Sequence, residues 1–202
     1  MNHERRDRLR DAAIGVLAEA GGRGLTHRAV DAAADVPAGT SKNYFPTRDA
    51  LVRAVAERCM EQYLAMAAAL AGSGPGPADA RELAALLAGM LRDVAGPGRS
   101  RVLAYLELQT EATRRPWLAA LLDPIGTADF AAYAHLLRSA GLPAGPERVR
   151  TLTLALHGAL LHLLTGSPGT LAAAGLDDLE GFTRGLLAAV HPGEAVHPGE
   201  AP

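Results

Sequence analysis

Apolar side chains recur along this chain at helical intervals. Between Arg5 and Glu19, Leu9, Ala13 and Leu17 fall four apart with Ala12, Val16 and Ala20 beside them, opposite a charged face. Gly21-Gly22 predicts the end of that helix. Thr26 reads as the N-cap of a short helix running through Ala34. Asp35-Val36 makes a tight turn, and Pro37 suits the first turn of the next helix, where its missing N–H costs nothing. That helix, Ala38 to Tyr44, stops near Phe45 because Pro46 disfavours helical geometry in the residue before it. Thr47 caps a long fourth helix from about Arg48 to Ala71.

Ser73-Gly74-Pro75-Gly76-Pro77 then breaks the pattern. Helices are predicted at about 79–95, 99–115, 117–141 with Pro124 as a point of interruption, 146–166 and 176–190. Gly96-Pro97-Gly98, Pro116, Gly141-Leu142-Pro143 and Gly166-Ser167-Pro168-Gly169 separate them. No stretch alternates apolar and polar residues long enough to predict a strand. The expected fold class is all-α, about nine helices, with a tri-helical helix-turn-helix at the N-terminus.

Composition sharpens this picture. Of 202 residues, 49% are hydrophobic but only 4% aromatic, so Leu, Ala and Val must build the core, which favours helices. Net charge is −2, and residues 1–50 carry eight Lys/Arg against seven Asp/Glu, so charge alone does not point to nucleic acid. Lysine occurs once, at Lys42, and asparagine twice, at Asn2 and Asn43, in a chain whose Ala, Gly, Arg and Pro content suggests a GC-rich genome. No uncharged apolar run is long enough to span a membrane, and the charged N-terminus lacks a signal-peptide core, so a cytoplasmic protein is expected. Cys59 is the single cysteine, excludes an internal disulfide, and is expected to be a buried, inert side chain. The end repeats His-Pro-Gly-Glu-Ala at 191–195 and 197–201, and a disordered tail is expected over 191–202.

Two short helices joined by a tight turn after a longer one make a helix-turn-helix, in which the second short helix enters the major groove. Gly39 lets the backbone approach DNA, and Thr40, Ser41, Lys42 and Asn43 can donate or accept at base edges. Thr26, Arg28, Tyr44 and Arg48 flank them as phosphate partners, with Thr26 and Thr47 at helix starts that suit a phosphate. His27, Pro37 and Ala38 complete the candidate DNA-contacting set.

Three runs, Gly24-Leu25-Thr26-His27-Arg28-Ala29-Val30, Val36-Pro37-Ala38-Gly39-Thr40 and Tyr44-Phe45-Pro46-Thr47-Arg48-Asp49-Ala50-Leu51, resemble the TetR regulator signature without a gap. That signature has Leu-Tyr where this chain has Ser41-Lys42, His at Tyr44, and a capping Ser at Pro37. The resemblance implies a DNA-binding head over 1–47 and a ligand-binding and dimerisation domain over 48–190. The implied partners are double-stranded operator DNA, a second copy of the chain and an unknown small-molecule effector.

For the effector, Val102, Leu103 and Leu106 define an apolar face that Gln109, Thr110 and Thr113 continue. These polar groups either anchor a small molecule or bond to neighbouring backbone. Tyr63, Met90, Tyr105 and Trp117 are further candidate lining, with plain core packing as the alternative. Helix 146–166 carries Leu152, Leu154, Leu156, Leu160, Leu161, Leu163 and Leu164, apolar nearly all round, which predicts a homodimer. His157 and His162 lie about 140° apart on that helix and cannot clasp one metal. No nucleophile–base grouping, metal-spaced cluster or phosphate-binding glycine loop is present, so no catalytic residue, metal or cofactor is expected. The function expected is a ligand-released transcriptional repressor, with an enzyme or a helical adaptor as rivals.

Overall fold

The computed structural model describes residues 3–72 and 76–193. Ten helices lie among them and no strand. They are α1 (His3–Gly24), α2 (His27–Ala33), α3 (Thr40–Tyr44), α4 (Arg48–Gly72), α5 (Ala80–Ala95), α6 (Arg99–Ala112), α7 (Pro116–Ser139), α8 (Pro146–Thr165), α9 (Pro168–Ala173) and α10 (Leu179–Val190).

Local chemistry explains most boundaries. Gly21 breaks α1 with φ 64° and ψ −177°, where the glycine pair predicts an end, but a further turn follows to Gly24. Thr26 caps α2, its Oγ1 accepting from Ala29 N at 3.2 Å. Asp35, at φ 50°, closes α2 as Asp35 N donates to Ala32 O and Val36 N to Asp31 O, a Schellman arrangement. Thr47 caps α4 through Ala50 N at 3.1 Å, as expected.

Three expectations need correction. Pro37 lies outside α3, because Pro37 to Thr40 form a turn closed by Thr40 N on Pro37 O at 3.1 Å, with Gly39 at φ 89° and ψ −6° in its third place. That conformation is the one a type II turn needs and favours glycine. Pro124 does not interrupt α7, which runs through it. The described residues also form one helix more than expected: Ser167-Pro168-Gly169 starts α9, with Ser167 Oγ accepting from Thr170 N, and α10 begins at Leu179.

The chain divides into two compact units, residues 1–70 with 98–126, and 71–97 with 127–202. The first has a core of Leu9, Ala13 and Leu17 from α1, Val30 from α2, Leu51, Val55 and Cys59 from α4, Ala104 and Leu108 from α6, and Leu118 and Leu122 from α7. The second packs Leu83, Leu87 and Leu91 of α5 against Leu152 and Leu156 of α8 and Leu187 of α10. Each such buried Leu contributes about 1.5–3 kcal/mol over an exposed one. No helix among the described residues is long and apolar enough to cross a membrane. Of the tail expected over 191–202, His191 is instead buried at 1% exposure with its Nδ1 3.1 Å from the Arg148 guanidinium, because it closes the end of α10, and residues from Glu194 onward lie outside the described residues.

In the first unit α1 is also tied to α4 by charge. Arg10, 3% exposed, donates to Glu61 Oε1 at 2.6 Å and Oε2 at 3.0 Å, to Asp7 Oδ1 at 3.0 Å and to Ala54 O at 3.2 Å. Arg58 adds a bidentate pair with Asp11 at 2.7 and 2.9 Å. The Arg10 guanidinium holds the Glu61 and Asp7 carboxyls below their ordinary values, against the opposing effect of burial.

Candidate nucleic-acid interface

Helix α3 has only five residues, too few to persist alone, so the rest of the head must hold it. It packs against α2 along one side. Ser41 is fully buried, its Oγ donating to His27 O at 3.2 Å. The two oxygens of Asp31, itself 2% exposed, accept from Gly39 N and Ser41 N, each at 2.7 Å. At the far end His27 Nε2 lies 2.6 Å from Phe45 O, and Phe45 is buried in the core.

The opposite side of α3 is open. Lys42 and Asn43 are exposed, and Thr40 and Tyr44 are half-buried. Thr40 Oγ1 donates to Pro37 O at 2.5 Å. Pro37, Ala38 and Gly39 are exposed in the preceding turn, and a Cβ built at Gly39 would meet nothing within 4 Å. Its glycine is explained by the positive φ. Arg28, Thr26 and Thr47 are exposed as well.

Three of the expected contacts take other roles. Ser41 faces the core and not a base edge, so it leaves the set of base readers. The signature's leucine at this position was the available signal, since a site that suits leucine is an apolar one. His27 is half-buried and engaged with the Phe45 carbonyl. Arg48 is exposed, but its guanidinium donates to Leu25 O at 2.8 Å and to Gly22 O, fastening the start of α4 to the α1–α2 connection. Asp31 and Arg10 were missed. Asp31 stands on a short helix where a charge normally predicts a solvated face, and no local pattern shows that two amides converge on it.

The effector candidates fall into two groups. Tyr63, Tyr105 and Trp117 are half-buried against the core of the first unit, and Met90 packs against that of the second. The Arg53 guanidinium lies 4.5 Å over the Trp117 ring. Gln109, Thr110 and Thr113 are exposed, contrary to a buried polar face. Thr110 Oγ1 bonds Leu106 O at 3.1 Å and Thr113 Oγ1 bonds Thr110 O at 2.8 Å, the backbone alternative. The buried positions of α6 are Ala104 and Leu108. Cys59 is 3% exposed, and burial pushes its thiol up to about 12, which makes it inert. His157 pairs with Asp129 at 3.0 Å and His162 with Gly158 O at 2.8 Å, and no metal-holding group of His, Cys, Asp or Glu occurs among the described residues.

Three short-linked helices with an outward-facing third, followed by a larger all-helical body, define a helix-turn-helix regulator. The family model described as "Tetracyclin repressor-like, C-terminal domain" matches residues 78–190. The chain belongs to the TetR family of transcriptional regulators, and DNA binding follows from that membership. A TetR family member from Streptomyces coelicolor A3 is similar at 31% identity, covering 93% of this chain and 98% of that one, with a TM-score of 0.64. The multidrug binding protein EbrR, solved with ethidium, is similar at 32% identity over 94% of this chain and 99% of that one, with a TM-score of 0.62. A transcriptional regulator from Rhodococcus sp. Rha1, at 22% identity, coverages of 92% and 95%, and a TM-score of 0.70, shares the fold. No curated protein matches the sequence.

Proposed function

We propose that this protein is a homodimeric transcriptional repressor that holds a palindromic operator through α3 and releases it when a small apolar effector binds. It works by binding and not by catalysis, in the bacterial cytoplasm. One observation carries the reading: α3 is pinned to α2 by its buried side while Lys42 and Asn43 project from the other. Base reading falls to Thr40, Lys42 and Asn43, and phosphate contact to Arg28, Tyr44 and the exposed helix starts at Thr26 and Thr47.

Residues 1–47 serve as the DNA-binding head, 48–190 with the buried His191 as the effector and dimer domain, and the residues beyond as a tail. Leu154 and Leu161, one heptad apart on α8, are 61% and 45% exposed, which supports a second copy as their cover. On an operator, such a dimer places its α3 helices about 34 Å apart, one turn of DNA, or somewhat more where the DNA is overwound or the heads splay. Tyr63, Tyr105 and Trp117 are the lining offered for the effector, and the ethidium complex of EbrR suggests flat aromatic molecules as probes.

The test is selection of duplexes from a random pool by the full chain, with DNA from upstream of its own gene as a directed sample. A palindromic consensus is expected, and enrichment of nothing over scrambled DNA would overturn the reading. Trp117 is the only tryptophan, so ethidium binding beside it should quench the emission of the DNA-free protein. Unchanged emission at saturating ethidium removes the lining assignment for this class of molecule.

A further inference from the structure

A recognition helix must be held in one orientation, and α3 is too short to hold itself. Its first turn presents orphan amides, as every helix start does. Here two of them, Gly39 N and Ser41 N, converge on Asp31, which belongs to α2 and makes no contact with solvent to speak of at 2% exposure. Both carboxylate oxygens are used, one per amide, each at 2.7 Å. No cation bonds to this carboxylate among the described residues, and its partners are the two backbone amides at the start of α3. A buried carboxylate separated from its donors is costly, and the two amides are the donors it has here. This placement of Gly39 and Ser41 satisfies both oxygens of Asp31, and Lys42 and Asn43 follow directly along the same backbone.

We propose that Asp31 is a positioning residue for DNA reading. Its carboxylate fixes the first turn of α3 from behind and so sets the direction in which Lys42 and Asn43 leave the helix. Asp31 is buried and touches no DNA. Ser41 Oγ on His27 O and the His27 ring at Phe45 O hold the middle and end, and Asp31 holds the beginning.

The inference rests on α3 being the DNA-contacting helix. It is tested in the full chain with Asp31→Asn, which keeps the volume but faces one backbone N–H with an N–H, and with Asp31→Ala. Each is titrated on the duplex that the unaltered chain selects and on a scrambled duplex, and amide spectra are recorded without DNA. Asp31→Asn should retain helicity and its affinity for scrambled DNA, while its preference for the selected duplex falls at least about tenfold. The Gly39 and Ser41 amide resonances should move upfield with the rest of the head unmoved. Asp31→Ala should do the same more strongly. A preference within about twofold of the unaltered chain in Asp31→Asn would overturn the proposal. So would loss of head structure in both variants, which makes Asp31 a stability residue only. If the unaltered chain selects no duplex, α3 is not the reading helix and the positioning role falls with it, while the two amide shifts still report whether the clamp exists.

Discussion

Ser41 and Lys42 are neighbours on α3, one fully buried and the other exposed. Adjacent helical positions differ by about 100° in direction, so they cannot share a face. Five residues give too few positions to fix the phase of the helix from its hydrophobic pattern, which is why Ser41 read as a base contact. Lys42 and Asn43 keep that role, and Lys42→Ala should lose roughly 1–3 kcal/mol on the selected operator and little on scrambled DNA. Arg48→Ala should behave differently. Its guanidinium spans Leu25 O and Gly22 O, so its loss should weaken binding to both duplexes alike and lower thermal stability, by about 1 kcal/mol at this exposed site. Parallel titrations and melts of the two variants separate these outcomes. Equal loss on both duplexes for Lys42→Ala would move base reading to Thr40 and Asn43.

At the scale of elements, capping chemistry was legible and long-range pairing was not. Thr26, Thr47 and the Gly21 break declare themselves because their effect is local. Arg10 does not. It sits beside Leu9 in a helix whose charged residues predict a solvated face, yet it is buried on partners 44 and 51 positions away. The carboxyls it holds give the α1–α4 pairing a pH dependence. Glu61 and Asp7 bind protons less readily folded than unfolded, so the unfolded chain takes protons up first as pH falls. Their contribution is complete above the ordinary carboxylate range and is lost below about pH 4. Denaturant melts should show a plateau near neutrality and an acid decline, and Glu61→Gln should lower the plateau and flatten the decline. An unchanged acid limb in that variant would remove the pairing as its source.

For the whole molecule, helical class followed from periodicity, but the division of the body did not. Nothing in a local period shows that Ala104 and Leu108 of α6 pack with α1, or that Glu107 accepts from Gly22 N at 3.2 Å. For the same reason Gln109, Thr110 and Thr113 read as a buried polar face, since three half-buried apolar neighbours suggested the wrong side of α6. The leucine excess of α8 was legible, and it resolves into a buried face of Leu152 and Leu156 and an exposed pair, Leu154 and Leu161. If a second copy covers that pair, Leu154→Glu with Leu161→Glu should leave a folded monomer in sedimentation at micromolar concentration. A dimer that survives both charges would place the contact elsewhere.

Lys42 is the one lysine in 202 residues, and it stands exposed on α3. The chain therefore offers side-chain amine chemistry a single address. Acylation there erases the only lysine charge on the surface assigned to the groove, and cleavage after lysine divides α3 itself. A dye coupled to that amine would sit on the reading surface of every subunit and nowhere else among the side chains, with bound DNA as its natural shield.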